Sequence, residues 1–118
     1  NLSRNITLVG FECNPYMWIK NADFFILSSV YEGAGTVLFE SITLGTPILA
    51  LPAFGVTDEI LDNIDGCHVS KFNTSESLSN LILENYNKRY KLEKKYLDRF
   101  DSTIIIKQYE NTILKLIN

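Results

Sequence analysis

One stretch of the sequence, YEGAGTVLFESITLGTP at residues 31–47, most constrains the fold. It lies between two short apolar runs, residues 24–27 and 48–51, whose length suits buried strands. Gly45 followed by Pro47 is typical of the end of a helix. Strand, glycine loop, helix and strand make a parallel βαβ unit, so the sequence predicts an α/β fold in which helices flank a parallel sheet.

The loop of this unit has the composition of a ligand site. It follows a strand and opens a helix, which is where open α/β sheets bind ligands. Gly33 and Gly35 let the backbone approach a ligand, and the unpaired amides of the first helical turn favour an anion such as phosphate. Glu32 and Glu40, with seven residues between them, suit a ligand that carries a phosphate between two sugars. The alternative is a helix start with solvent-facing glutamates, because short motifs recur by chance.

Four segments occur in order at spacings that are found together in a known family. They are ITLVGF, NPYMWIKNADFFILSS, YEGAGTVLFESITLGTPILA and FGVTDEI, the last followed by Gly66. Together they resemble the retaining glycosyltransferases of the GT-B fold, which use nucleotide sugars and carry a Glu-x7-Glu motif. The resemblance implies that residues 1–118 are a single Rossmann-like domain, the C-terminal, donor-binding half of such an enzyme, truncated on its N-terminal side. A helical tail is expected over about residues 75–118.

The resemblance also implies roles for individual residues. In similar enzymes the first glutamate, here Glu32, lies near the donor sugar and the reacting centre. The second, here Glu40, accepts hydrogen bonds from the ribose hydroxyls. Glu59 matches a glutamate on a short helix after the next strand, with a less defined role. The other donor-binding positions are the backbone amides of Gly33, Ala34, Gly35 and Thr36 for the diphosphate, and Val37 and Leu38 for the nucleoside.

The activity that the resemblance implies is retaining transfer of a sugar from a UDP- or GDP-linked donor to a saccharide or lipid-linked acceptor, in surface polysaccharide assembly. Such enzymes are expected to need no metal, because an Arg and a Lys on an earlier strand and loop offset the diphosphate charge. Those cations and the acceptor half would precede this chain, so the chain alone is expected to be inactive. Phe54 replaces a glycine of the family pattern and is expected to narrow the phosphate loop. A nucleotide-sugar epimerase of the same fold and a non-catalytic nucleotide-binding fragment are the alternatives.

Charge is distributed unevenly along the chain, whose net charge is −3. Residues 1–87 carry three basic and ten acidic side chains, whereas residues 88–118 carry eight basic and four acidic ones. An acidic candidate site argues against a nucleic-acid partner. The basic segment is either a solvated helix face or a contact with an anionic membrane surface. Cys13 and Cys67 are expected to be free thiols of a cytoplasmic protein, and the single histidine, His68, excludes a histidine-rich structural metal site.

The remaining elements follow from local patterns. Residues 6–11 are predicted to form a buried strand, and residues 67–69 a short edge strand. Asn14 is expected to cap a helix that ends near Asn21. That helix should bury Met17 together with Trp18 or Ile19.

The second half of the chain is predicted to be mostly helical. Thr57 should cap a short helix, and Asn73 with Glu76 resembles a capping box. A charged helix is expected over residues 88–99. Asp101 or Ser102 should cap a final helix over residues 103–117, with these side chains inward: Ile105, Tyr109, Ile113, Leu116 and Ile117.

Overall fold

The computed structural model describes residues 3–53 and 56–117, which form a three-stranded parallel sheet with helices around it. In chain order the elements are α1 (Tyr16–Asn21), β1 (Phe25–Leu27), α2 (Thr36–Leu44), β2 (Ile48–Ala50), α3 (Val56–Leu61), β3 (Cys67–Val69), α4 (Ser75–Asn85), a 3₁₀ helix (Lys94–Phe100) and α5 (Ser102–Ile117).

Strand β2 is the centre of the sheet. It pairs in parallel with β1 on one side and β3 on the other, so that Leu49 lies between Ile26 and His68. All three residues of β2 are buried, as expected for a parallel strand that is covered on both faces. The predictions of an α/β fold, of a parallel sheet and of a strand at residues 67–69 are confirmed.

Helix α2 makes the crossover between β1 and β2. Its side chains Leu38 and Ile42 are almost fully buried and belong to the core beside β2. Gly45 ends the helix with φ +81°, a left-handed conformation that glycine adopts without steric cost. The buried Ser41 hydroxyl donates to the Thr46 carbonyl at 3.1 Å and holds the turn that follows. The helix end predicted from Gly45 is confirmed.

The strand predicted for residues 6–11 is wrong. These residues have no regular secondary structure, and Leu8 and Phe11 are 92% and 91% exposed. A strand is stable only where a neighbouring strand takes its backbone hydrogen bonds. No described segment pairs with residues 6–11, so apolar composition alone does not make them a strand.

Helix α1 begins one residue later than predicted and buries less. Pro15, not Asn14, is the N-cap, and no side chain caps this end of the helix. Only Ile19 is buried, whereas Met17 and Trp18 are both more than half exposed. Consecutive helical residues point about 100° apart, so a helix that packs on α2 along one side buries one of the three.

Two predicted helix caps are also wrong. Thr57 lies inside α3, where its hydroxyl accepts a hydrogen bond from the Ala53 amide at 2.9 Å. The capping box of Asn73 and Glu76 does not form, because α4 begins one residue later and Thr74 caps it through its side-chain oxygen. The Asn73 amide instead donates to a carbonyl of the loop after β2. These polar side chains therefore fasten the loop at the carboxyl end of β2.

The charged helix predicted for residues 88–99 is replaced by an extended segment and the 3₁₀ helix. Leu92 is buried in the core, which holds this part of the chain against the sheet. The Arg99 guanidinium donates to the carbonyls of Ile60 and Asp62, the latter at 3.0 Å, at the carboxyl end of α3. Burial of Leu92 and the Arg99 contacts thus override the helical propensity of the local sequence.

Helix α5 begins at Ser102, one residue earlier than predicted, and the Asp101 carboxylate accepts a hydrogen bond from the Thr103 amide at 2.8 Å. The predicted inward face is wrong: no residue of α5 is buried. The helix packs on the 3₁₀ helix, and this contact leaves its large apolar side chains mostly exposed. Within the described residues, no helix is both long and apolar enough to cross a bilayer.

His68, on β3, forms a hydrogen bond with Tyr90 in the segment that follows α4. Its Nε2 atom lies 3.2 Å from the Tyr90 hydroxyl, which donates to the buried Asn85 side chain at 2.8 Å. Because the hydroxyl uses its proton on Asn85, the histidine must donate through Nε2. Burial, and secondly the charge of Lys88, lower the pKa of His68 from its ordinary value of 6.5, while Asp65 opposes them.

This lowered pKa predicts that the fold loses stability in mild acid. Below pH 6.5 the unfolded chain binds a proton at His68 more readily than the folded chain does, so the free energy of unfolding should fall. Urea unfolding at pH 7.5 and pH 5.5 measures this fall. In His68→Gln the fall should be smaller. An equal fall in both proteins would show that His68 does not contribute.

Candidate functional site

The loop between β1 and α2 turns at Gly35. This residue has φ +57° and is the N-cap of α2. A β-carbon on Gly35 would lie 3.1 Å from side-chain atoms of Leu38 and Val56 and 3.2 Å from Ile60. Gly35 therefore joins the loop to both α2 and α3 at a spacing that no larger residue allows without a shift. Gly33 is different, because a β-carbon there would meet no atom within 4 Å.

The amino end of α2 is open to a ligand. No side chain caps it, and its first turn holds no acidic residue. The amides of a first helical turn have no carbonyl partner within the helix, and the helix dipole places partial positive charge there. Gly33, Ala34 and Thr36 are exposed at this end. The arrangement can donate hydrogen bonds to the oxygens of an anion at the carboxyl end of β1.

The two glutamates of the motif lie on different parts of this unit. Glu32 is in the loop, and Glu40 is the fifth residue of α2, about one turn into the helix as predicted. Both side chains are partly exposed. Neither is sequestered in the core, so both carboxylates can take hydrogen bonds from a ligand.

Glu40 has a neighbour from another element. The Tyr16 hydroxyl, at the start of α1, donates to Oε1 of Glu40 at 3.3 Å. The two residues border a cleft of about 350 Å³ between α1 and α2. The cleft is otherwise lined by Phe39, Thr43 and Leu44. The carboxylate thus stands at the edge of a largely apolar surface.

Glu59 lines a different and larger cleft, of about 670 Å³. Asp58 and Asp62 of α3 and its following turn lie on the same cleft, together with His68 of β3. The structure therefore brings Glu40 together with Tyr16, and it brings Glu59 together with other acidic residues.

The remaining predicted positions divide between surface and core. Val37 is partly buried and packs against the core. Leu38 is 0% exposed, so its side chain belongs to the core and not to an open surface. Phe54, which the sequence analysis placed in the phosphate loop, lies outside the described residues.

Potential metal ligands and the two cysteines lie as follows. Within them, no group of three His, Cys, Asp or Glu side chains is arranged to hold a metal ion. Cys13 is exposed and Cys67 is buried. Burial raises the pKa of the Cys67 thiol to about 12, so this residue is protonated at neutral pH.

Two contributors to the site were not predicted from the sequence. Tyr16 is 24 residues away from Glu40 along the chain, and no local pattern links them. Phe39, beside Glu40, packs edge-to-face on Phe100 with ring centroids 4.8 Å apart. The Arg99 guanidinium lies over the Phe100 ring at 4.7 Å. The helix that carries Glu40 is therefore supported on its outer side by the 3₁₀ helix.

Comparison with known proteins assigns the chain to a family. Residues 1–99 match the family described as glycosyl transferases group 1. The chain belongs to this family. The match includes every element from α1 to α4 and most of the 3₁₀ helix, so the parallel sheet is that of a glycosyltransferase with a Rossmann-like domain.

Individual relatives come from several different organisms. An uncharacterized glycosyltransferase of Methanocaldococcus jannaschii is 25% identical over 98% of this chain and 30% of its own length. Sucrose synthase 1 of Zea mays is 28% identical over 98% of this chain and 14% of its own length.

A third relative matches a shorter region. It is the Campylobacter jejuni N-acetylgalactosamine-N,N'-diacetylbacillosaminyl-diphospho-undecaprenol 4-alpha-N-acetylgalactosaminyltransferase, 37% identical over 42% of this chain and 13% of its own length. The chain thus spans less than a third of the length of these relatives. No solved structure matches it.

The different surroundings of Gly33 and Gly35 give a test of the loop. Gly35→Ala should lower the free energy of unfolding by about 1–2 kcal/mol, because a left-handed backbone and three close side chains oppose the new methyl group. Gly33→Ala is the matched control. Its expected change is less than about 0.5 kcal/mol, since the methyl group enters open space. Urea unfolding measures both. Equal losses would contradict the packing role of Gly35.

Proposed function

We propose that this chain is the donor-binding domain of a retaining glycosyltransferase that uses a UDP- or GDP-linked sugar. The observation that carries the proposal is the uncapped, glycine-led amino end of α2 at the carboxyl end of a parallel sheet. Such an end supplies amide donors and partial positive charge for a diphosphate. Membership of the glycosyltransferase family supports a donor of this class.

Each of these residues is proposed to bind a different part of the donor. In this proposal the backbone amides of Gly33, Ala34, Gly35 and Thr36 hold the diphosphate, and Val37 contacts the nucleoside. Glu40 accepts hydrogen bonds from the ribose hydroxyls. Glu32 lies beside the donor sugar. Glu59 has a less defined role in donor binding, because it lines the separate cleft beside α3.

The chemistry asked of these groups is stabilisation of charge. As the glycosidic bond breaks, negative charge grows on the diphosphate oxygens and positive charge on the anomeric carbon. Preorganised amides stabilise the first, and a carboxylate near the sugar stabilises the second. We propose that no metal takes part and that cationic side chains of the whole enzyme supply the remaining positive charge.

The acceptor and the cellular setting follow from the relatives' names. One is named for a diphospho-undecaprenol substrate and another for Vi polysaccharide biosynthesis. A saccharide or lipid-linked acceptor, bound by a second domain, is therefore proposed, in surface polysaccharide biosynthesis. A cytoplasmic location at the inner face of the membrane is proposed too, supported by the eight basic side chains of residues 88–118. On its own, the chain is proposed to transfer no sugar.

The ribose contact is tested by Glu40→Gln in the complete enzyme. A carboxylate that bridges two hydroxyls should contribute enough for a roughly 10- to 100-fold change in the dissociation constant of the nucleoside diphosphate. Titration calorimetry measures this constant. Glu84→Gln, an exposed glutamate on α4, is the matched control and should leave it unchanged. An unaltered constant in Glu40→Gln would mean that Glu40 is only a surface residue of α2.

The role of Glu32 is tested by measuring whether its substitution affects turnover or affinity. An interaction made mainly in the transition state affects turnover and not ground-state affinity. Glu32→Gln should therefore lower turnover by about 10²-fold or more, the lower end for one preorganised electrostatic group. Affinity for the nucleoside diphosphate, which lacks the sugar, should barely change. Equal losses in turnover and affinity would show that Glu32 shapes the phosphate loop instead.

Epimerised donor formed without acceptor would favour the epimerase alternative.

A further inference from the structure

Tyr16 is held in place by contacts that do not involve Glu40. The buried Thr46 hydroxyl, in the turn after α2, donates to the Ile19 carbonyl of α1 at 2.8 Å. Ile19 is the buried residue of α1, and the helix packs along α2. The fold itself therefore places the first residue of α1 beside the middle of α2.

The contact between Tyr16 and Glu40 places a neutral donor on a charged acceptor. The hydroxyl donates to Oε1 of Glu40, which leaves the whole of Oε2 and part of Oε1 available as acceptors. A phenol carries no charge at neutral pH, so it does not neutralise the carboxylate as an arginine would. Without such a contact, a glutamate on a helix surface rotates freely about its side-chain bonds. Binding a ligand then costs the conformational entropy of ordering that side chain.

We propose that Tyr16 is a positioning residue for the donor nucleotide. It orients the Glu40 carboxylate so that its remaining acceptor sites meet the ribose hydroxyls, and it limits the freedom that Glu40 loses on binding. This inference rests on the proposed function. Under this inference Tyr16, which lies on α1 and outside the Glu-x7-Glu segment, also contributes to the preference for ribonucleotide donors.

A purely structural role for Tyr16 gives a different expectation. If the hydroxyl only fastens α1 to α2, its removal affects all ligands alike, whether or not they carry ribose hydroxyls. If it orients Glu40, its removal matters only where those hydroxyls are present. Nucleotides with and without the hydroxyls therefore separate the two roles.

The experiment is a calorimetric titration of Tyr16→Phe with UDP and GDP and with their 2′,3′-dideoxy analogues. The variant removes one oxygen atom and keeps the ring. For whichever ribonucleotide the wild-type protein binds, the dissociation constant should rise about three- to tenfold, the effect of one hydrogen bond. The constant for the dideoxy analogue should stay unchanged. Tyr109→Phe, an exposed tyrosine on α5, is the control and should alter neither constant.

The same titrations with Glu40→Gln and with the double variant complete a cycle. Tyr16→Phe should add a smaller loss in the Glu40→Gln background than in the wild type, because the tyrosine hydroxyl donates more weakly to a neutral amide oxygen than to a carboxylate. Two results overturn the inference alone: a Tyr16→Phe protein that binds like wild type, or one that loses both classes of nucleotide equally, while Glu40→Gln still weakens ribonucleotide binding. If neither ribonucleotide binds, or if Glu40→Gln has no effect, the proposed function fails first and the inference with it.

Discussion

The burial of β2 on both faces is the constraint on which the rest of the structure depends. A central strand of Ile48, Leu49 and Ala50 needs parallel partners on both edges and helices over both faces. Parallel neighbours need crossover helices, and these are α2 and α3. The loops that lead into both helices then leave the sheet at the same side, the carboxyl ends of the strands. The position of the candidate donor site is a consequence of this packing.

The site itself depends on how closely two helices approach one loop. Gly35 lets the loop approach Leu38 and Ile60 so closely that a β-carbon would fit only if these side chains shifted. That approach leaves the amino end of α2 uncapped at the edge of the sheet. On α2, Glu40 stands between α1, which brings Tyr16, and the 3₁₀ helix, which supports Phe39. The surroundings of Glu40 and Phe39 on α2 therefore come from two other segments of the chain.

Sequence patterns predicted the elements whose stability is local or whose burial is complete. The βαβ unit, the end of α2 at Gly45 and the Asp101 cap of α5 depend on residues within a few positions of each other. The misplaced helix caps are local shifts of one residue or a few, whereas the larger failures involve partners that are distant in sequence. Residues 6–11 have a suitable composition but pair with no described strand, and α5 has an apolar stripe but no buried residue. Residues 88–99 are helical in propensity but are held otherwise by Leu92 and Arg99.

The sequence by itself determined the α/β class, the glycine-led loop before α2 and the positions of Glu32 and Glu40 along it. These follow from apolar periodicity and from the backbone freedom of glycine, which act over short stretches. Tertiary structure alone decided that Leu38 is core, that Glu59 and Glu40 line different clefts, and that Tyr16 donates to Glu40. Those facts depend on which helix faces meet after the sheet forms, and no spacing within a single element encodes that.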